Sequence, residues 1–91
     1  MEESLNGTAE IRNTASEFLL EYYLIKDNEN RYGFKIEKKE RKSGDLVLRE
    51  RYNSQYVIDD KDSASDILDI LTKNVVTPVT ADSVLEDLGY L

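Results

Sequence analysis

The chain has 91 residues, with 19 acids against 12 bases, a net charge of −7, and neither histidine nor cysteine. That length holds one hydrophobic core and is too short for a dinucleotide fold or a barrel. Disulfides, thiolate nucleophiles, zinc–sulfur sites and imidazole bases are excluded, which leaves chemistry to carboxylates, lysines, tyrosines and hydroxyls.

Residues 1–16 are polar and weakly periodic, and read either as an arm or, over Thr8–Arg12, as a short edge strand. Residues 17–91 read as a single domain. Glu17–Lys26, EFLLEYYLIK, is the strongest strand signal. Phe18, Leu20, Tyr22 and Leu24 fall on one face and Leu19, Glu21, Tyr23 and Ile25 on the other. Two largely apolar faces predict a central strand, or one that also meets a partner. Asp27–Arg31 is a turn by composition.

Tyr32–Lys38 alternates cleanly, with Tyr32, Phe34 and Ile36 toward the core. A second turn falls at Lys42–Asp45. Leu46–Tyr52 alternates again, with Leu46, Leu48 and Tyr52 predicted on one face and Val47, Arg49 and Arg51 on the other. Gln55–Ile58 is a candidate fourth strand. After Ile58 the period changes to 3.6. Asp62 or Ser63 is the expected N-cap, Ile67, Leu68, Ile70 and Leu71 form the apolar stripe, and the helix stops near Asn74. Val75–Val79 should be extended, as the residue before a proline prefers. Thr80 then caps a last short helix with Val84, Leu85 and Leu88 inward and Gly89 at its end. The expected fold is α+β: an antiparallel meander of three or four strands, then two helices packed on one face.

The beginning of the chain has neither the basic nor the apolar region of a signal peptide, and no apolar run approaches membrane-spanning length. The expected setting is the cytoplasm, away from membranes. Charge is uneven: residues 1–25 sum to −4, 26–51 to +3 and 52–91 to −6.

Tyr22-Tyr23-Leu24-Ile25-Lys26-Asp27, Tyr32-Gly33-Phe34-Lys35-Ile36-Glu37, Lys73-Asn74-Val75-Val76-Thr77-Pro78-Val79 and Val84-Leu85-Glu86-Asp87 together resemble a family of short clostridial proteins. That family is known only as a domain of unknown function. The resemblance runs from Tyr22 onward, with the Asn74–Val79 stretch its most specific part. It implies a Firmicute host or one of its mobile elements, and it carries over no catalytic residue.

Five aspartates, Asp59, Asp60, Asp62, Asp66 and Asp69, crowd eleven residues. Asp62, Asp66 and Asp69 fall at i, i+4 and i+7, on one side of the predicted helix. A calcium loop starting at Asp60 fails, because its positions 5, 6 and 12 are Ala64, Ser65 and Leu71. Two readings stay open: an acidic face that mimics phosphate toward a basic protein, and a solvated helix face. Lys38, Lys39, Arg41, Lys42, Arg49 and Arg51 make a basic middle near Tyr23, but Glu37, Glu40, Asp45 and Glu50 interleave with them. Cross-strand ion pairs fit that pattern better than nucleic acid, which the overall charge repels. Of the six tyrosines, Tyr22, Tyr32 and Tyr52 are expected inward. Tyr23 with Leu19 and Ile25 makes either an exposed binding strip or a second buried face.

The expectation is a non-enzymatic, cofactor-free, metal-free protein-binding module that inhibits or regulates a basic nucleic-acid-binding protein. Its partner residues would be Asp59, Asp60, Asp62, Asp66, Asp69 and Tyr23. In size, acidity and lack of motif it is similar to small inhibitors of CRISPR nucleases. The alternative is a regulatory or structural module that forms a homodimer through its first strand, Phe18–Ile25.

Overall fold

The computed structural model describes residues 2–54 and 58–90. Four antiparallel strands lie in chain order, β1 (Glu2–Arg12), β2 (Glu17–Lys26), β3 (Tyr32–Lys42) and β4 (Asp45–Asn53). Two helices follow, α1 (Lys61–Lys73) and α2 (Ala81–Asp87). The predicted α+β architecture is the one observed.

β2 is central, as its doubly apolar pattern requires, and pairs with β1 and β3 along its whole length. Both its edges are therefore occupied, so any association through this strand is limited to its open face. The fourth strand is β1. The amino-terminal segment forms an eleven-residue edge strand, longer than Thr8–Arg12, because β2 offers it a full ladder of backbone partners. Of the expected Gln55–Ile58 strand, residues 55–57 lie outside the described residues, and Ile58 makes an isolated bridge to Tyr32. Tyr56 lies outside them too.

The turns follow from their side chains. Asp27 Oδ1 accepts the backbone N–H groups of Glu29 and Arg31, both at 2.9 Å, and Asn30 takes the left-handed conformation at φ 58°. β3 runs on to Lys42 rather than stopping at Lys38, and the β3–β4 loop is only Ser43-Gly44, with φ 53° and 86°. Two successive positive φ values match the twist of a hairpin.

One face of the sheet carries the core. Leu20, Tyr22 and Leu24 of β2 and Tyr32, Phe34 and Ile36 of β3 pack with Ala64, Ile67, Leu68 and Leu71 of α1 and with Ala81 and Leu85 of α2. The buried Tyr22 hydroxyl donates to the Val76 carbonyl at 2.9 Å, tying the α1–α2 connection to the sheet. Burial pushes the Tyr22 phenol up to about 12. α1 sits so close to β1 that a Cβ on Gly7 would stand 3.1 Å from Thr72 Cγ2. Glycine at that position is what lets helix and strand touch.

Four local expectations are corrected. α1 begins at Lys61 with Asp60 as its N-cap, ahead of Asp62 and Ser63, because Asp60 is the carboxylate able to reach the Ser63 N–H from an extended backbone. Ile70 is exposed and Ala64 takes its place in the stripe, since the helix faces the sheet through 64, 67, 68 and 71. Val75 is not extended. It closes α1 at φ 51°, donating to the Thr72 carbonyl, and the chain turns again at 78–80. Finally, a bulge opposite Lys38/Lys39 reverses the faces of β4. Leu48 stands opposite Lys39 and Leu46 opposite Arg41, so both share the helix-free face with Arg51, while Tyr52 pairs with Ile36 toward the core.

Candidate functional site

The five aspartates all lie on the helical side of the molecule. Asp59 is exposed in the bend before α1. Asp60 is occupied structurally: its Oδ2 accepts the Ser63 hydroxyl at 2.7 Å and the Ser63 N–H at 3.1 Å. The hydroxyl first, then the backbone N–H, hold its carboxyl below the ordinary 3.8. Asp62, Asp66 and Asp69 line the side of α1 opposite the buried stripe of Ala64, Ile67, Leu68 and Leu71. Asp69 accepts the Asn6 side-chain amide at 2.9 Å, which ties this row to β1.

Because Asp60 is ionised in the cap, its stability contribution is present at neutral pH and lost as pH falls through the acid range below 3.8. Asp60→Ala should lower the Tm at pH 7 and flatten the acid limb of a Tm-against-pH curve; an unchanged acid limb would show that the cap does not contribute.

Tyr23 does not join the aspartates. It lies on the opposite, helix-free face of the sheet, with Lys35 Nζ 4.5 Å from its ring centre. Burial raises its phenol, with Glu21 adding to the effect. The charges of the sheet are matched on both of its faces. Lys35 pairs with Glu3, Lys39 with Glu21 at 2.5 Å, and Arg41 with Glu17 at 3.5 Å. The hydrogen bond to Glu21 holds the Lys39 ammonium above its usual value. Arg51 reaches the buried Glu37 through two nitrogens, at 2.7 and 2.6 Å. Arg49 meets Glu40 at 2.8 Å and Lys38 meets Glu50 at 3.6 Å. The basic middle of the chain is thus built into cross-strand ion pairs.

Charge is therefore divided by layer. Residues 2–54 carry eleven acids and ten bases, net −1. Residues 59–90 carry eight acids and two bases, net −6, and among the described residues none of those eight acids has an ion-pair partner. Asp82, Glu86 and Asp87 of α2 extend the acidic layer beyond the five aspartates singled out from sequence. The signal for them was the net charge of residues 52–91, which the density of aspartates from Asp59 to Asp69 overshadowed. Asp82 also accepts the Tyr52 hydroxyl at 2.7 Å, and burial followed by this acid pushes that phenol well up.

Among the described residues, no group of three or more carboxylates is placed to hold a metal ion. A cleft of about 130 Å³ at one end of the sheet has Leu24 and Tyr32 beside Lys26 and Lys61, with Glu2 and Glu3 across from them. No helix of the described residues is long and apolar enough to cross a membrane. A protein-family profile described as a family of unknown function, DUF6514, matches residues 2–89. No curated protein matches, and no solved structure does.

Proposed function

The chain belongs to the DUF6514 family, a family of unknown function, and we propose that it is a non-enzymatic, acidic protein-binding module that inhibits or regulates a basic nucleic-acid-binding protein. The observation that carries this reading is the division of charge: a nearly neutral sheet with its ion pairs made, backing a helical layer of net −6 whose acids have none among the described residues. A solvated surface needs no such one-sidedness. Unpaired carboxylates spaced along a rigid helix present negative charge the way a nucleic-acid backbone does, and complementary charge sets encounter rate and partner choice. At about 1.5 Å rise per residue, Asp62, Asp66 and Asp69 span on the order of 10 Å. Asp60 serves mainly as the cap that starts this helix, and Asp59, Asp82, Glu86 and Asp87 widen the field.

The test uses the whole chain and its Asp62→Asn/Asp66→Asn/Asp69→Asn variant as immobilised baits. All three side chains are exposed, so the variant should keep the wild-type circular dichroism spectrum. A nucleic-acid-binding protein held by the wild type at low salt should be lost from the variant, eluted by moderate salt, and displaced by added nucleic acid. Equal capture by both baits, insensitive to salt and to nucleic acid, would refute the acidic-mimic reading.

A further inference from the structure

We propose that β4 is a homodimerisation strand: two copies join their sheets antiparallel along β4, about a two-fold axis through Val47, with Asp45 of each copy opposite Arg49 of the other. This does not rest on the acidic-layer reading, which concerns the helices.

The sheet has two edges, β1 and β4. An edge strand offers unpaired backbone groups to another chain unless something blunts it. β1 is blunted by a bulge between Leu5 and Gly7 and by the acids Glu2, Glu3 and Glu10. β4 has no such protection over its first half. Leu46, Val47 and Leu48 run in unbroken register between the hairpin loop and the bulge at Arg49, without proline or lysine. They are 42%, 37% and 42% exposed, which makes them an apolar triplet on an open edge.

The phase of the backbone agrees with pairing here. The two-residue loop closes on the pair Lys42 and Asp45, whose N–H and C=O groups turn toward each other. By alternation, Leu46 and Leu48 turn theirs outward. Setting Leu46 of one copy opposite Leu48 of the other satisfies those groups in both directions and brings Val47 opposite its own mate. The same register sets Asp45 opposite Arg49 twice, so like-charge contacts are absent. A strand complementary to itself about a two-fold closes at two copies. The occupant is therefore a second copy of this chain, giving one continuous sheet of eight strands with both helical layers on the same side.

The chain has no cysteine, so Val47→Cys introduces a single thiol. Facing residues in a non-hydrogen-bonded antiparallel pair stand about 4.5 Å apart between Cα atoms, within disulfide range. Under mild oxidation V47C should give one covalent dimer, while Ser83→Cys on α2 should stay monomeric. In sedimentation, the unmodified chain should show twice the 10.5 kDa of one copy. Asp45→Arg and Arg49→Asp should each shift it toward monomer, and the double variant should restore the dimer. Restoration shows that loss in the single variants was not loss of fold. A strict monomer at high concentration overturns the proposal. So does a dimer indifferent to the charge reversals, a V47C chain that crosslinks no better than S83C, or open-ended assemblies, which mark head-to-tail pairing.

Discussion

Phe34→Ala should cost about 3–5 kcal/mol, which for a domain of this size lowers the Tm on the order of 15–30 °C. Phe34 is 1% exposed near the start of β3, opposite Leu24 of β2 and beneath the helices. Its N–H is bonded by the Ser54 hydroxyl at 2.7 Å, so the backbone is pinned and cannot collapse into the space the ring leaves. Small domains have about 5–15 kcal/mol in total, so most of the molecule's margin should disappear. Urea unfolding measures it. Val79→Ala, at a side chain 73% exposed between the two helices, is the control and should shift the midpoint by less than a tenth as much; comparable losses would place the core elsewhere.

The second large effect concerns Glu37, which is 6% exposed on the helix-free face of the sheet. Arg51 grips it through two nitrogens, while Lys39 stands 3.9 Å away. Arg51→Leu should cost about 2 kcal/mol, because a buried carboxylate loses its charge-assisted bonds and keeps its desolvation. Lys39 and the half-exposed position of Arg51 hold the loss to that size. Glu37→Leu/Arg51→Leu should recover most of it, since apolar partners leave nothing unsatisfied. Equal stability of the single and double variants would mean that water, not Arg51, solvates Glu37. A double-mutant cycle by urea unfolding reads the difference.

The elements most legible from sequence were those whose pattern is set by burial. Tyr32, Phe34 and Ile36 had to point inward, and β2, apolar on both faces, had to be central. Glu2–Arg12 carried little pattern because its outer edge meets solvent and its pairing is made by backbone, which has no sequence signature. The faces of Leu46 and Leu48 were misread because one bulge residue inverts every position before it, and a bulge is a property of two strands together. Asp60 was passed over for Asp62 and Ser63 as the cap, because which side-chain oxygen reaches the first turn's N–H groups is decided by the approach of the backbone and not by residue type.

The candidate site was legible in its aspartates and not in its grouping. Tyr23 and the acids fall on opposite sides of the sheet, a relation that only topology supplies. That most bases would be consumed in ion pairs could be suspected from the interleaved signs, but which acids remained without partners required the register.

The division of charge between layers gives the molecule an electric dipole moment as well as a net charge. In a partner's field such a body rotates as well as drifts. Beyond about 8 Å in physiological salt the torque fades, so orientation happens in the last step of approach. A positively charged surface therefore meets the helices before the sheet, and fewer collisions are wasted on the wrong side. The ion pairs of the sheet contribute to this indirectly: by cancelling one another, they leave the field of the opposite side undiluted.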